Sequence, residues 1–136
     1  MKMNPYINLN GNCAEALQFY ERTIGAKTMF KMTYAESPMA DQTPPDWKNK
    51  IMHASVTIGD QVLMAADGSP NKPSEIKGCS LSLSTNDPAE AERIFKALSE
   101  KGTIHMPLQE TFWAQRFAMF VDQFGVPWMV NCEKPM

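Results

Sequence analysis

The chain has no CxxC pair, no run of lysine and arginine, no glycine-rich phosphate loop and no long apolar stretch. Each absence removes a class of function. Cys13, Cys79 and Cys132 are odd in number and far apart, which argues for free, mostly buried thiols over a disulfide or a zinc site. A net charge of −2 without a basic cluster offers no field to hold nucleic acid. The stretch "MKMNPYINLNGN" lacks the apolar core of a secretion signal. No later segment stays apolar for the thickness of a bilayer, so a cytoplasmic protein with no membrane partner is expected. None of the seven glycines builds GxGxxG, no serine sits in a nucleophile elbow, and no cysteine has a histidine beside it. Nucleotide-dependent and nucleophilic chemistry therefore have no motif to rest on.

What is present suits one globular domain over 1–136, with 43% apolar and 21% charged residues. Eleven methionines point to irregular packing or to a pocket that tolerates varied apolar shapes. "PYINLN" alternates as a strand does. A helix follows, with Asn12 as cap, Glu15 at the capping-box position and Gly25 as stop. Ala16, Leu17, Tyr20 and Ile24 share one face of it. "AKTMFKMTYA" is a strand, and Glu36 to Lys50, with three prolines, is a loop. "HASVTIGDQVLMAAD" is a hairpin turning near Gly59 and Asp60.

The second half repeats the order. "CSLSLS" alternates, and Asp87-Pro88-Ala89-Glu90 opens a helix whose apolar face is Ala91, Ile94, Phe95 and Leu98, with Gly102 after its last turn. "TIHMPL" is a strand, and "QETFWAQRFAMFVDQFGVPWMVN" supplies a last hairpin turning at Gln123-Phe124-Gly125. The fold class expected is α+β, two βαβββ modules over about 4–67 and 78–133, joined by a turn-rich linker over 68–77.

Three stretches, "PYINLNGNCAEALQFYERTIGA", "HASVTIGDQVLM" and "QETFWAQRFAMFVDQFGVPWMVN", resemble the PhnB-like branch of the vicinal oxygen chelate superfamily, which includes glyoxalase I, extradiol dioxygenases and bleomycin-resistance proteins. The resemblance covers nearly the whole chain. It implies modules whose strands curl into a cup, and a homodimer. A methyltransferase label travels with the branch, but this chain lacks the glycine turn such an activity needs.

Metal-using members of that superfamily carry His and Glu at four inward positions, on the first and last strands of each module. The resemblance puts Tyr6, Met64, Ser80 and Met129 there. A phenol, two thioethers and a hydroxyl do not suit a hard or borderline divalent ion, which takes carboxylate oxygens and imidazole nitrogens. Two thioethers suit copper(I), but they also fill a dry cavity well, and packing is the reading adopted. No metal and no cofactor are expected. His53, Asp67, His105, Glu110 and Asp122 are the candidates for a rebuilt site. His53, with Ser55 and Thr57 on its face, reads as a hydrogen-bonded wall residue, and Asp122 as a turn residue using its carboxylate locally.

In the last strand, Trp128 and Val130 share one face and Met129 and Asn131 the other. With Met129 inward, Trp128 packs against the helices. Phe112 and Trp113 then form either a lid at the mouth or a staple to the protein's own barrel or a second subunit, with Glu110 as the charge there. The expected cup lining is Tyr6, Asn8, His53, Met64, Ser80, Ser82, Glu110, Trp113, Met129 and Asn131. An apolar surface with a few polar groups suits a small apolar or aromatic metabolite, and no Arg-Lys cluster offers a seat for phosphate. Two alternatives stand beside this small-molecule-binding reading. One is a metal-dependent lyase or dioxygenase with a relocated site near His53 and Glu110. The other is a drug-sequestering resistance protein, for which a cationic drug would require an acidic groove.

Overall fold

Alternation sets the first strand. In β1 (Tyr6–Leu9) Ile7 and Leu9 are buried while Tyr6 and Asn8 are exposed, as a strand with one covered face requires. The computed structural model describes residues 1–134 and divides into two units, Met1–Glu75 and Ile76–Met136.

In the first unit β1 is followed by α1 (Cys13–Ile24), β2 (Lys27–Thr33), β3 (Ile51–Ile58) and β4 (Gln61–Asp67). The sheet order is β1-β4-β3-β2, with β1 parallel to β4 and the other pairs antiparallel. The proline-bearing loop before β3 contains two short 3-10 turns, Ala40–Gln42 and Pro45–Trp47. The second unit repeats the plan with β5 (Leu81–Thr85), α2 (Pro88–Leu98), β6 (Thr103–Gln109), β7 (Ala114–Val121) and β8 (Pro127–Glu133), in the order β5-β8-β7-β6. The α+β class and the two βαβββ modules therefore stand, each with an open four-stranded mixed sheet.

One face of each sheet is covered by its own helix. Cys13, Ala16, Leu17 and Tyr20 of α1 are buried with Ile7, Leu9, Ala54, Val56, Leu63 and Ala65 of the strands. Ile24, expected on that face, is only half-buried; Thr23 is buried instead and returns its hydroxyl to the Phe19 carbonyl at 2.7 Å. In the second unit Ala91, Ile94 and Leu98 of α2 meet Phe120, Trp128, Val130 and Cys132. Phe95 is half-buried and sets its ring edge-on to Phe120 at 5.6 Å.

The start of α1 departs from the expected capping box. Asn12 makes no side-chain cap hydrogen bond; its Oδ1 accepts from the Asn10 N–H. Asp67, at the end of β4, takes the role from a distance. Its Oδ1 accepts the N–H groups of Gly11 at 2.8 Å and Cys13 at 3.0 Å, and its Oδ2 accepts that of Ile51 at 2.9 Å. The pairing of β1 with β4, with Leu9 in register with Asp67, brings its carboxylate to these donors, and a charged acceptor makes the stronger bond. In α2 the expected cap holds, with Asp87 accepting from the Ala89 N–H at 3.0 Å.

Gly102 follows the last turn of α2 for a different reason from the usual left-handed stop. Lys101 adopts the left-handed conformation, at φ 61°, and Gly102 does not. A Cβ on Gly102 would collide with the Val121 carbonyl oxygen and lie 3.0 Å from the Asp122 Cα. Close approach of β6 to the end of β7 demands this glycine.

Two predictions follow from this packing, both read by urea denaturation. Asp67→Asn should lower stability by about 2–4 kcal/mol, because an amide N–H would face a backbone N–H in a buried site. A change below about 0.5 kcal/mol would show that water satisfies those donors. Gly102→Ala should cost about 1–3 kcal/mol through overpacking, whereas Lys101→Gly should gain about 0.5–1 kcal/mol by relieving the left-handed backbone. Equal effects at the two positions would reverse the assignment of roles.

Candidate functional site

The face of each sheet turned away from its helix holds Tyr6, Asn8, His53, Met64, Ser82, Met129 and Asn131 of the sequence-predicted residues. In the first unit Tyr6 on β1 pairs in register with Met64 on β4, Met64 with Ser55 on β3, and Ser55 with Phe30 on β2. Asn8 lies two residues beyond Tyr6 on the same face, and His53 two residues from Ser55, opposite Met32. The rings of Tyr6 and His53 stack at 5.6 Å with 27° between planes, and Phe30 tilts against His53 at 5.9 Å. The Tyr6 hydroxyl and His53 Nδ1 are 3.5 Å apart. Tyr6 and Phe30 remain 47% and 45% exposed, so this is an open aromatic surface with methionines beside it. Burial pushes the Tyr6 phenol above its ordinary range, with Cys13 adding to the shift, so it stays protonated.

The end of β4 fixes this face from behind. Besides the Asp67 carboxylate bonds, the Asp67 carbonyl accepts the Tyr34 hydroxyl at 2.6 Å, and the Gly68 carbonyl accepts Trp47 Nε1 at 3.0 Å. Lys50 Nζ donates to the Gly11 carbonyl at 2.7 Å. The loop before β3 is thereby tied to the β1–α1 turn.

In the second unit a row crosses the sheet from Ser82 on β5 to Met129 on β8, Met119 on β7 and Met106 on β6. A second row joins Ser84, Asn131, Phe117 and Gln109. Trp113 sits in the loop between β6 and β7, edge-on to Phe117 at 5.2 Å and to Phe112 at 4.7 Å. Trp128 is 1% exposed, on the side opposite Met129 and Asn131. Ser80 precedes β5, and Ser82 is the residue in register with Met129. Glu110 is exposed and pairs with Lys134 at 3.4 Å.

The other candidate donors are committed elsewhere. Asp122 Oδ1 accepts the N–H groups of Phe124 at 2.8 Å and Val126 at 3.0 Å, and Oδ2 accepts Trp128 Nε1 at 2.9 Å. Asp67 serves the backbone in the same way. His105 is exposed on β6. Among the described residues no three His, Cys, Asp or Glu side chains come together as a metal site would need.

Sequence reasoning missed Phe30, Met32, Met106, Met119 and Phe117 as members of these faces. Alternation from Met129 would have found Met119 and Phe117. Register shifts between Thr28 and Phe30, and between Ile104 and Met106, hid the phase of the edge strands.

Burial pushes the Cys13 thiol up to about 12, and the charges of Asp67 and Glu15 add to the shift. Because the folded state holds this proton more tightly, any stability linked to it is intact below the ordinary thiol range and is lost as pH rises through the shifted value. Cys132 is buried and Cys79 exposed. At about pH 8, where only an accessible thiolate reacts, Ellman's reagent should titrate Cys79 alone in the native chain, and all three thiols after unfolding. Fast reaction of Cys13 in native protein, located by peptide mapping, would show that α1 lifts from its sheet.

Comparison with known proteins agrees with this architecture. The model of the Glyoxalase/Bleomycin resistance protein/Dioxygenase superfamily matches residues 3–130. Protein YjdN from Escherichia coli (strain K12) is 36% identical over 144 residues, covering 98% of this chain and 97% of that protein. The crystal structure of protein PA1353 from Pseudomonas aeruginosa is 48% identical, with a TM-score of 0.89 over 99% of each chain. PhnB protein from Bacillus cereus shares the fold at 23% identity, with a TM-score of 0.80 over 97% of this chain and 99% of its own. The chain belongs to the glyoxalase/bleomycin resistance/dioxygenase superfamily.

Proposed function

We propose that this protein binds a small apolar or aromatic metabolite on the open faces of its sheets, and that it does so without the superfamily's metal chemistry. The donor set carries the reading. Tyr6 is in register with Met64, and Ser80, just before β5, and Met129 on β8 are their counterparts in the second unit, on the strand pairs where metal-using members place His and Glu. A protonated phenol, two thioethers and a hydroxyl do not fit a hard or borderline divalent ion. The superfamily's mechanism depends on an ion polarising substrate oxygens, so no step through an ion is derived for this chain.

What remains suits apolar recognition. Tyr6, Phe30 and His53 offer ring faces and edges, and Met64, Met106, Met119 and Met129 offer surfaces that adapt in shape. Asn8, Ser82 and Asn131 supply the few polar groups that orient a ligand. Nothing favours the relocated metal site: the His53 ring meets Tyr6 and Phe30, and Glu110 pairs with Lys134. Sequestration of a cationic drug lacks its acidic groove for the same reason.

The reading includes a homodimer working in the cytoplasm. Phe112, 89% exposed, and Met29, 67% exposed, are the apolar groups a second copy would cover. Among the described residues no helix is long and apolar enough to cross a membrane.

Native mass spectrometry of protein purified without chelator tests these points together. It should show two chains, well below one divalent ion per chain, and a small organic adduct or an empty face that takes up added aromatic probes. Stoichiometric zinc, nickel or iron that survives dialysis would overturn the reading, and a monomer at micromolar concentration would remove the dimer.

A further inference from the structure

Among the described residues, one buried side-chain atom that can hydrogen-bond has no partner: Oδ1 of Asn131. The contrast with the other buried polar groups is sharp. Asp67 and Asp122 each accept three N–H or indole donors, and Thr23 donates to its own helix. A molecule that satisfies these groups so fully leaves the Asn131 oxygen dry, and a dry acceptor is unfavourable. A leucine of similar size would avoid the cost.

The surroundings say what the oxygen is for. Asn131 lies on the open face of the second sheet, between Ser84 on β5 and Phe117 on β7. Met129 is two residues away on the same face, within the methionine row. Phe117 carries Trp113 edge-on, and Trp113 is still 44% exposed. Arg116 engages Glu92 of α2, from the strand position in register with buried Cys132. The face thus offers an apolar, partly aromatic floor and one unfilled acceptor.

Building on the small-molecule reading above, we infer that Asn131 Oδ1 receives an N–H or O–H of the bound ligand, so that this face selects small planar molecules carrying a hydrogen-bond donor. The apolar floor provides general attraction. The buried oxygen discriminates, because a ligand without a donor leaves it unpaired, while a ligand with one satisfies it in a dry setting.

Indole and its donor-free isostere benzothiophene are the probes, titrated against wild type, Asn131→Leu and Asn131→Asp, with urea denaturation of each unliganded protein. Wild type should bind indole roughly tenfold tighter than benzothiophene, about the worth of one such bond. Asn131→Leu should erase that preference and raise the urea midpoint, since it removes the orphan acceptor. Asn131→Asp keeps an acceptor and should keep the preference. Equal binding of both probes by wild type would overturn the inference and leave the small-molecule reading standing. Failure of both probes to bind would count against that reading as well. A lower urea midpoint for Asn131→Leu would show that the oxygen is already satisfied in solution, and that too would overturn the inference.

Discussion

A buried carboxylate is tolerated only when several donors converge on it, and each unit is organised around one. Asp67 gathers the backbone of the β1–α1 turn and of β3 onto the end of β4. Asp122 gathers the β7–β8 turn and the indole of Trp128. Four of the six donors, the N–H groups of Gly11, Cys13, Phe124 and Val126, lie outside the strand ladders. The carboxylate fixes where a strand ends and where the next turn begins, so the register of the strands beside it is fixed too. A one-residue slip would carry the helix-facing residues to the other face. Which residues reach the open faces therefore depends on these two aspartates, although neither lies there.

The helix-facing side shows why the open side is free to vary. Ile7, Leu9, Val56 and Leu63 in one unit, and Phe120, Trp128 and Val130 in the other, are buried on the side that faces the helices. None of them shares a face with Tyr6, Met64, Ser82 or Met129. Substitution at Tyr6, Met64, Ser82 or Met129 leaves these buried contacts, and the hydrophobic driving force they supply, in place. Stability is thus carried by the helix-facing side, and the proposed ligand choice by the opposite face of the same strands.

Much of this was legible in the sequence, and the reasons differ by element. The strands β1 and β5 alternate cleanly, whereas in β8 the sides of Trp128 and Met129 follow from the ligand position that the resemblance implies for Met129. Helix α2 announces itself through Asp87 and Pro88. Helix α1 did not reveal its cap, because the capping carboxylate lies far along the chain at Asp67, and local spacing carries no information about such a partner. Gly102 was read as a helix stop from its position, yet its need comes from the backbone of Val121 and Asp122, a tertiary contact. The edge strands β2 and β6 were placed, but bulges shift their phase, which hid Phe30 and Met106.

The proposed absence of a metal site raises the question of what else fixes these strands. A structural ion contributes folding energy when its ligands are otherwise untied. The strands that carry the proposed positions are fixed by backbone pairing: Tyr6 to Met64 and Ser82 to Met129 are ladder neighbours, and each strand is anchored by its helix-facing residues. An ion at such a place would serve chemistry and contribute little to assembly of the sheet. Its ligands can then change without cost to the core. The replacements are informative for that reason, since no folding requirement selects a phenol beside an imidazole, or three methionines in a row. Under the proposed reading, side chains at such positions are constrained chiefly by the ligand of the open face.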